Sequence, residues 1–78
     1  MEDFKNELNR FWAEHPPQPK DHWRISTEIK SHGDKRWVRA SIIYLVRPVI
    51  NAHSDDFDPQ DTQTAEQQAI LRAIRMMP

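Results

Sequence analysis

Residues Trp37 to Val46, reading WVRASIIYLV, form the one stretch of this 78-residue chain that has to be buried. The run is rich in β-branched and aromatic residues, is too short to span a bilayer and is followed by Pro48, which together predict a strand rather than a helix. One side of that strand would carry Val38, Ala40, Ile42, Tyr44 and Val46, the other Trp37, Arg39, Ser41, Ile43 and Leu45. Its second half is therefore apolar on both sides, and a single layer of helix cannot cover it. Two arrangements satisfy this. Either two helices lie on opposite faces of the sheet, or both lie on one face and Trp37, Ile43 and Leu45 are offered to a partner or to a second copy of the chain.

The flanking stretches supply the rest of the sheet and its cover. From His22 to Lys30 the period is two, with Trp23, Ile25, Thr27 and Ile29 alternating against Arg24, Ser26, Glu28 and Lys30. Gly33, the only glycine, falls between the two strand-like runs and supplies the positive φ of a tight reversal, so residues 22–46 read as a β-hairpin. Val49-Ile50 offers a third, short edge strand. Before the hairpin, Glu2 to His15 places Phe4, Leu8, Phe11 and Trp12 on one face of a helix that Pro16 ends, and Pro16-Pro17-Gln18-Pro19 runs on as an extended spacer. After it, Asp58-Pro59, or Thr64 with Gln67, opens a second helix running to the C-terminus, with an apolar stripe of Ala69, Ile70, Ala73, Ile74 and Met77. The expected fold is α+β, a single domain over residues 1–78 in the order helix, antiparallel hairpin with its optional third strand, helix.

A domain of this size buries only about 60% of the surface its unfolded chain exposes, which leaves no room for a deep cofactor cleft. The chain has no cysteine, so disulfides, thiolate catalysis and cysteine-ligated zinc are excluded together. Small secreted domains usually need disulfide staples, and MEDFKNELNR has no apolar run to serve as a leader or membrane anchor, so a cytoplasmic, intracellular protein with no membrane association is expected.

Candidate chemistry is sparse. His53, Asp55, Asp56, Asp58 and Asp61 form the densest ionisable cluster, but the spacing of a calcium loop is absent. Carboxylates before a helix serve its capping and its dipole without any ion, so no metal is expected. The other histidines, His15, His22 and His32, show neither an HxxxH spacing nor a serine partner. One glycine cannot build a phosphate-cradling loop. The expectation is a protein that is not an enzyme and uses no cofactor.

Charge is unevenly spread. Between Lys20 and Arg47 there are seven bases against three acids, a surplus of +4, and the total of −1 leaves −5 for the remainder. Basic residues interleaved with Trp23, Trp37 and Tyr44 are the ingredients of a nucleic-acid surface, although alternation assigns Trp23 and Tyr44 to the core and leaves Trp37 alone among the bases. Arginine around an apolar centre is equally the composition of a protein-binding hot spot. The candidate partner-binding residues are Arg24, Lys30, Arg36, Trp37, Arg39, Ile43 and Leu45.

Small, cysteine-free, motif-poor chains of this kind are common among phage, prophage and plasmid accessory proteins that inhibit a host enzyme or a defence complex. An anti-defence or anti-host inhibitor that acts by protein binding is the first functional expectation. A nucleic-acid-binding regulator using the basic hairpin of residues 20–47 is the alternative, and a homodimer joined through its sheet face or its Met76-Met77 end is the third.

Overall fold

The computed structural model describes residues 2–17 and 19–78, with nothing stated of the Glu2 side chain. Gln18, within the expected spacer, lies outside the described residues. The elements run α1 (Glu2–Glu14), β1 (Trp23–His32), β2 (Lys35–Tyr44), β3 (Arg47–His53) and α2 (Thr62–Arg75), with a single 3-10 turn at Pro59–Asp61 leading into α2. The three strands form one antiparallel sheet in the order β1-β2-β3.

β1 and β2 pair without interruption from Trp23↔Tyr44 to His32↔Lys35. The reversal between them is Gly33-Asp34, and Gly33 takes φ +61 there, the conformation a glycine adopts without a Cβ penalty. β2 ends at Tyr44, because Leu45 takes φ +59 and turns the chain into β3. Val46 is therefore not a core residue of β2 but a turn residue, 86% exposed. The third strand is longer than expected, and Pro48 lies inside it. A register shift after Ile42↔Ile50 pairs Ile43 with Pro48 and leaves Val49 as an extra, bulged residue. Proline is tolerated because β3 is an edge strand and one side of it has no ladder to donate to.

Both helices lie on one side of the sheet. Val38, Ala40 and Ile42 of β2 and Ala52 of β3 are buried against Ala65, Ala69 and Ala73 of α2, with Ile25 and Ile50 packed around them. The three alanines recur every fourth position, so α2 presents a smooth stripe that lets it approach the strands closely. Ile70, Ile74 and Met77 pack against this core without being fully buried. α1 packs mainly on α2 and meets the sheet at Trp23. Phe11 is its buried anchor, with its ring edge-on to Trp23 at 6.3 Å and stacked on His15 at 4.7 Å. Tyr44, assigned to the core by alternation, is exposed and leans on Trp23 at 4.8 Å, at the end of β2 where the chain turns into β3.

The acidic segment before α2 is not a set of helix caps. Neither Asp58 nor Asp61 makes a side-chain cap hydrogen bond. Asp55 instead accepts from Arg72 Nη1 at 3.1 Å and Gln68 Nε2 at 3.1 Å, and Asp56 accepts from the Arg36 N–H at 2.7 Å. These carboxylates tie the segment to α2 and β2, where fixed donors are available to them. Among the described residues no helix is long and apolar enough to cross a membrane.

Candidate binding face

With both helices on the inner side, no helix covers the outer face of the sheet. Strand alternation and the β1/β2 register put Arg24 beside Ile43, Ser26 beside Ser41, Glu28 beside Arg39 and Lys30 beside Trp37 on that face. β3 extends it with Pro48, Asn51 and His53, opposite Ile43, Ser41 and Arg39 respectively. Lys35 has the same parity as Trp37 and closes the face at the Gly33 end.

Five of the seven candidate residues, Arg24, Lys30, Trp37, Arg39 and Ile43, thus share one surface. Arg36 and Leu45 do not. Arg36 has the opposite parity, and its main chain is engaged by the acidic segment, donating to Asp56 and accepting from the Phe57 N–H at 3.0 Å. Leu45 has left the strand for the β2/β3 turn, because the chain reverses one residue before the apolar run ends.

The face is more polar than its strand sequence suggests. Ile43 is only 8% exposed although no helix lies over it, flanked by Arg24 on one strand and Pro48 on the other. An arginine stem and a proline ring are enough to shield an aliphatic side chain. Trp37 is half-buried at the opposite end. Trp37, Ile43 and Leu45 therefore do not join into a continuous apolar patch. In the middle, Ser41 donates to Asn51 Oδ1 at 2.6 Å, a buried-to-edge polar bridge between β2 and β3.

Glu28 is the acid at the centre of this face. Its carboxylate lies 3.5 Å from Lys30 Nζ and 3.4 Å from Arg39 Nη2. Both cations are half-exposed, so the pairs are shared with water and partly screened. Arg39 Nε is buried and has no hydrogen-bond partner, which leaves one donor of that guanidinium unsatisfied. At the Trp37 end, Lys35, Trp37, His53, Ser54 and Asp56 line a shallow recess of about 470 Å³.

Asn51, His53 and Lys35 were not among the candidates. The signal for the first two is the period of two that resumes after the bulge, with Ile50 and Ala52 facing in and Asn51 and His53 facing out. Pro48 obscured it, because a proline in the run reads as a strand end. Sharing Asp56 with the recess beside Trp37, a second one of about 350 Å³ is bordered by Asp55, Asp56, Phe57, Asp58 and Asp61. Among the described residues, no group of three or more histidine, aspartate or glutamate side chains is placed to hold a metal ion.

No family model, no curated protein and no solved structure matches this chain.

Proposed function

We propose that the protein is a non-catalytic binding module that lays the outer face of its sheet on an acidic surface of another protein, as an accessory inhibitor does when it occupies a host enzyme or defence complex. The observation that carries this reading is the placement of both helices on one side, which leaves Arg24, Lys30, Lys35 and Arg39 on the same face as Glu28 with no helix of the described residues over it. Lys30 and Arg39, half-exposed and paired with one carboxylate, can exchange it for a partner's carboxylates. The recess beside Trp37 gives a partner side chain a place to enter.

A protein partner fits better than nucleic acid. Among the described residues Trp37 is the one Trp, Tyr or Phe side chain on the face, which offers successive bases a single stacking surface. The basic hairpin of residues 20–47 still supports the nucleic-acid reading, since Trp37 beside Lys30 and Lys35 has the composition of a stacking platform.

The test is capture by tagged protein from lysate, with and without nuclease, using the native chain and an Arg24→Glu/Lys35→Glu double variant. Both side chains are exposed, so the fold should persist. A protein held by the native chain after nuclease and released by the double variant supports the reading. Recovery of nucleic acid alone, with an affinity that falls steeply with salt, replaces it with the regulator.

A further inference from the structure

The two edges of the sheet are built differently. β3 carries Pro48, which lacks an N–H, and a bulge at Val49, two of the devices that stop an edge from pairing with another strand. β1 has neither. It is ten residues long and pairs with β2 without a register shift. Among the described residues, the one bridge to its free edge is from Pro17 to Trp23, its first residue.

Hairpin geometry fixes which groups of β1 face outward. In a two-residue reversal the flanking residues, here His32 and Lys35, form a hydrogen-bonded pair, and such pairs recur at every second position along the ladder. Lys30, Glu28, Ser26 and Arg24 therefore spend their main-chain groups on β2. The N–H and C=O groups of Ile25, Thr27, Ile29 and Ser31 point out from the edge. The β2/β3 side agrees with this phase, since Val38 C=O and Arg36 C=O accept from Ser54 and Phe57 and face away from β1.

We infer that β1 pairs with β1 of a second copy of this chain, antiparallel about a two-fold axis through Ile29. The phase of the outward groups requires the axis to pass through a residue of β1 rather than between two. About Glu28 or Lys30 a charged residue would face its own copy, about Ser26 Ile29 would lie opposite Trp23, whose edge Pro17 already bridges, and charge selects among the rest. About Ile29, Glu28 lies opposite Lys30 of the other copy and Arg24 opposite Asp34, so unlike charges meet on the outer face. About Thr27, Arg24 would lie opposite Lys30 and like charges would meet. The axis through Ile29 also brings together two isoleucines that are each 54% exposed on the inner side, just beyond the cover of α2. Thr27 pairs with Ser31, Ile29 with Ile29 and Ser31 with Thr27, about six main-chain hydrogen bonds in all. The product is one continuous six-stranded sheet with its four helices on one side, and the contact is isologous and self-limiting because the far edges are those that Pro48 and the Val49 bulge protect.

The absence of cysteine makes the seam directly testable. Opposed Cα atoms at Ile29 lie about 5.5 Å apart, within disulfide reach. Two copies of Thr27 are offset by roughly 13 Å along the strands, beyond it. Mild oxidation should cross-link Ile29→Cys into a dimer and leave Thr27→Cys monomeric. Sedimentation of the native chain should show a dimer, and Ile29→Lys, which sets two lysines face to face at an exposed position, should sediment as a monomer with unchanged circular dichroism. A native chain that stays monomeric to millimolar concentration overturns the inference. So does a dimer that survives Ile29→Lys, or one in which Thr27→Cys cross-links as readily as Ile29→Cys.

Discussion

Arg75 and Glu7, sixty-eight positions apart, meet as a two-pronged ion pair, with Nη2 to Oε2 at 2.7 Å and Nε to Oε1 at 3.1 Å. The pair joins the last turn of α2 to the middle of α1, beside the contacts that Phe11 and Trp12 make with the core. A forked guanidinium-carboxylate contact sets orientation as well as attraction. Arg75→Ala is therefore expected to loosen α1 selectively. Amide exchange in α1 should rise several-fold while β2, which is hydrogen-bonded on both sides, stays protected. Equal acceleration in both would show that α1 and the sheet open as one unit.

The same pair, with Asp55, sets the response to acid. The Arg75 hydrogen bond holds the Glu7 carboxyl below its ordinary value of 4.5, and hydrogen bonds from Arg72 and then Gln68 hold Asp55 below 3.8. In the unfolded chain both return to those ordinary values, so across the acid window the unfolded state binds more protons than the folded one. The stabilisation is complete above the ordinary values and is lost as pH falls through the lowered folded ones. Urea midpoints should fall as pH drops below about 4.5, and the decline should be shallower for Glu7→Gln and for Asp55→Asn. An acid limb unchanged by both substitutions would assign it to other carboxyls.

Ser54 is a buried polar residue with a defined task. Its hydroxyl accepts from the Val38 N–H at 2.9 Å and donates to the Asp55 C=O at 2.8 Å, while its own N–H donates to the Val38 C=O at 2.8 Å. The side chain thus stands in for a strand residue where β3 has already ended. Ser54→Ala strands the buried Val38 N–H and should cost about 1–3 kcal/mol in urea unfolding. A loss below about 0.5 kcal/mol would mean that the donor finds water.

How much of this was legible beforehand depends on how local each determinant is. The hairpin was, because a period of two on either side of one glycine is a short-range signal, and the structure pairs Trp23 with Tyr44 and turns at Gly33 as that signal requires. The stripe through Ala69, Ala73 and Ile74 was legible for the same reason. The side on which α1 packs was not, since it rests on contacts between residues remote in sequence, Phe11 with Trp23 and Glu7 with Arg75. The capping role assigned to the aspartates failed at Asp58 and Asp61, which make no side-chain cap hydrogen bond, while Asp55 and Asp56 bind Arg72, Gln68 and the Arg36 N–H, donors remote in sequence. The face shared by Arg24, Lys30, Trp37, Arg39 and Ile43 followed from alternation, whereas the shielding of Ile43 needed Pro48, which only the bulged register brings beside it.

The closeness of α2 to the sheet gives a packing prediction. Ala69 is fully buried, between Ala65 and Ala73 on the stripe that faces Val38, Ala40 and Ile42. Ala69→Leu should therefore push α2 off the strands and cost about 1–3 kcal/mol, despite leucine's good helix propensity. The same change at Gln63, exposed on α2, should be within about 0.5 kcal/mol of neutral. Similar losses at both positions would mean that α2 does not bear on the sheet through this stripe.

Leu45 holds φ +59 at the first position of the β2/β3 turn, and its N–H donates at 3.0 Å to the C=O of His22, itself at φ +67. A left-handed leucine carries about 1–2 kcal/mol of strain, and glycine removes it while adding about 0.5–1 kcal/mol of unfolded-state entropy. Leu45→Gly is thus expected to be neutral or to stabilise by up to about 1.5 kcal/mol, and Leu45→Val, β-branched at the same φ, to destabilise by about 1 kcal/mol. The urea midpoints of the two variants, compared at equal slope, check this. A glycine variant less stable than the valine variant would show that packing of the half-exposed leucine outweighs the backbone. The glycine variant also separates two roles for the turn. Folded protein that loses its partner makes Leu45 a contact residue, and folded protein that keeps its partner confines recognition to the face of Arg24, Lys30, Trp37 and Arg39.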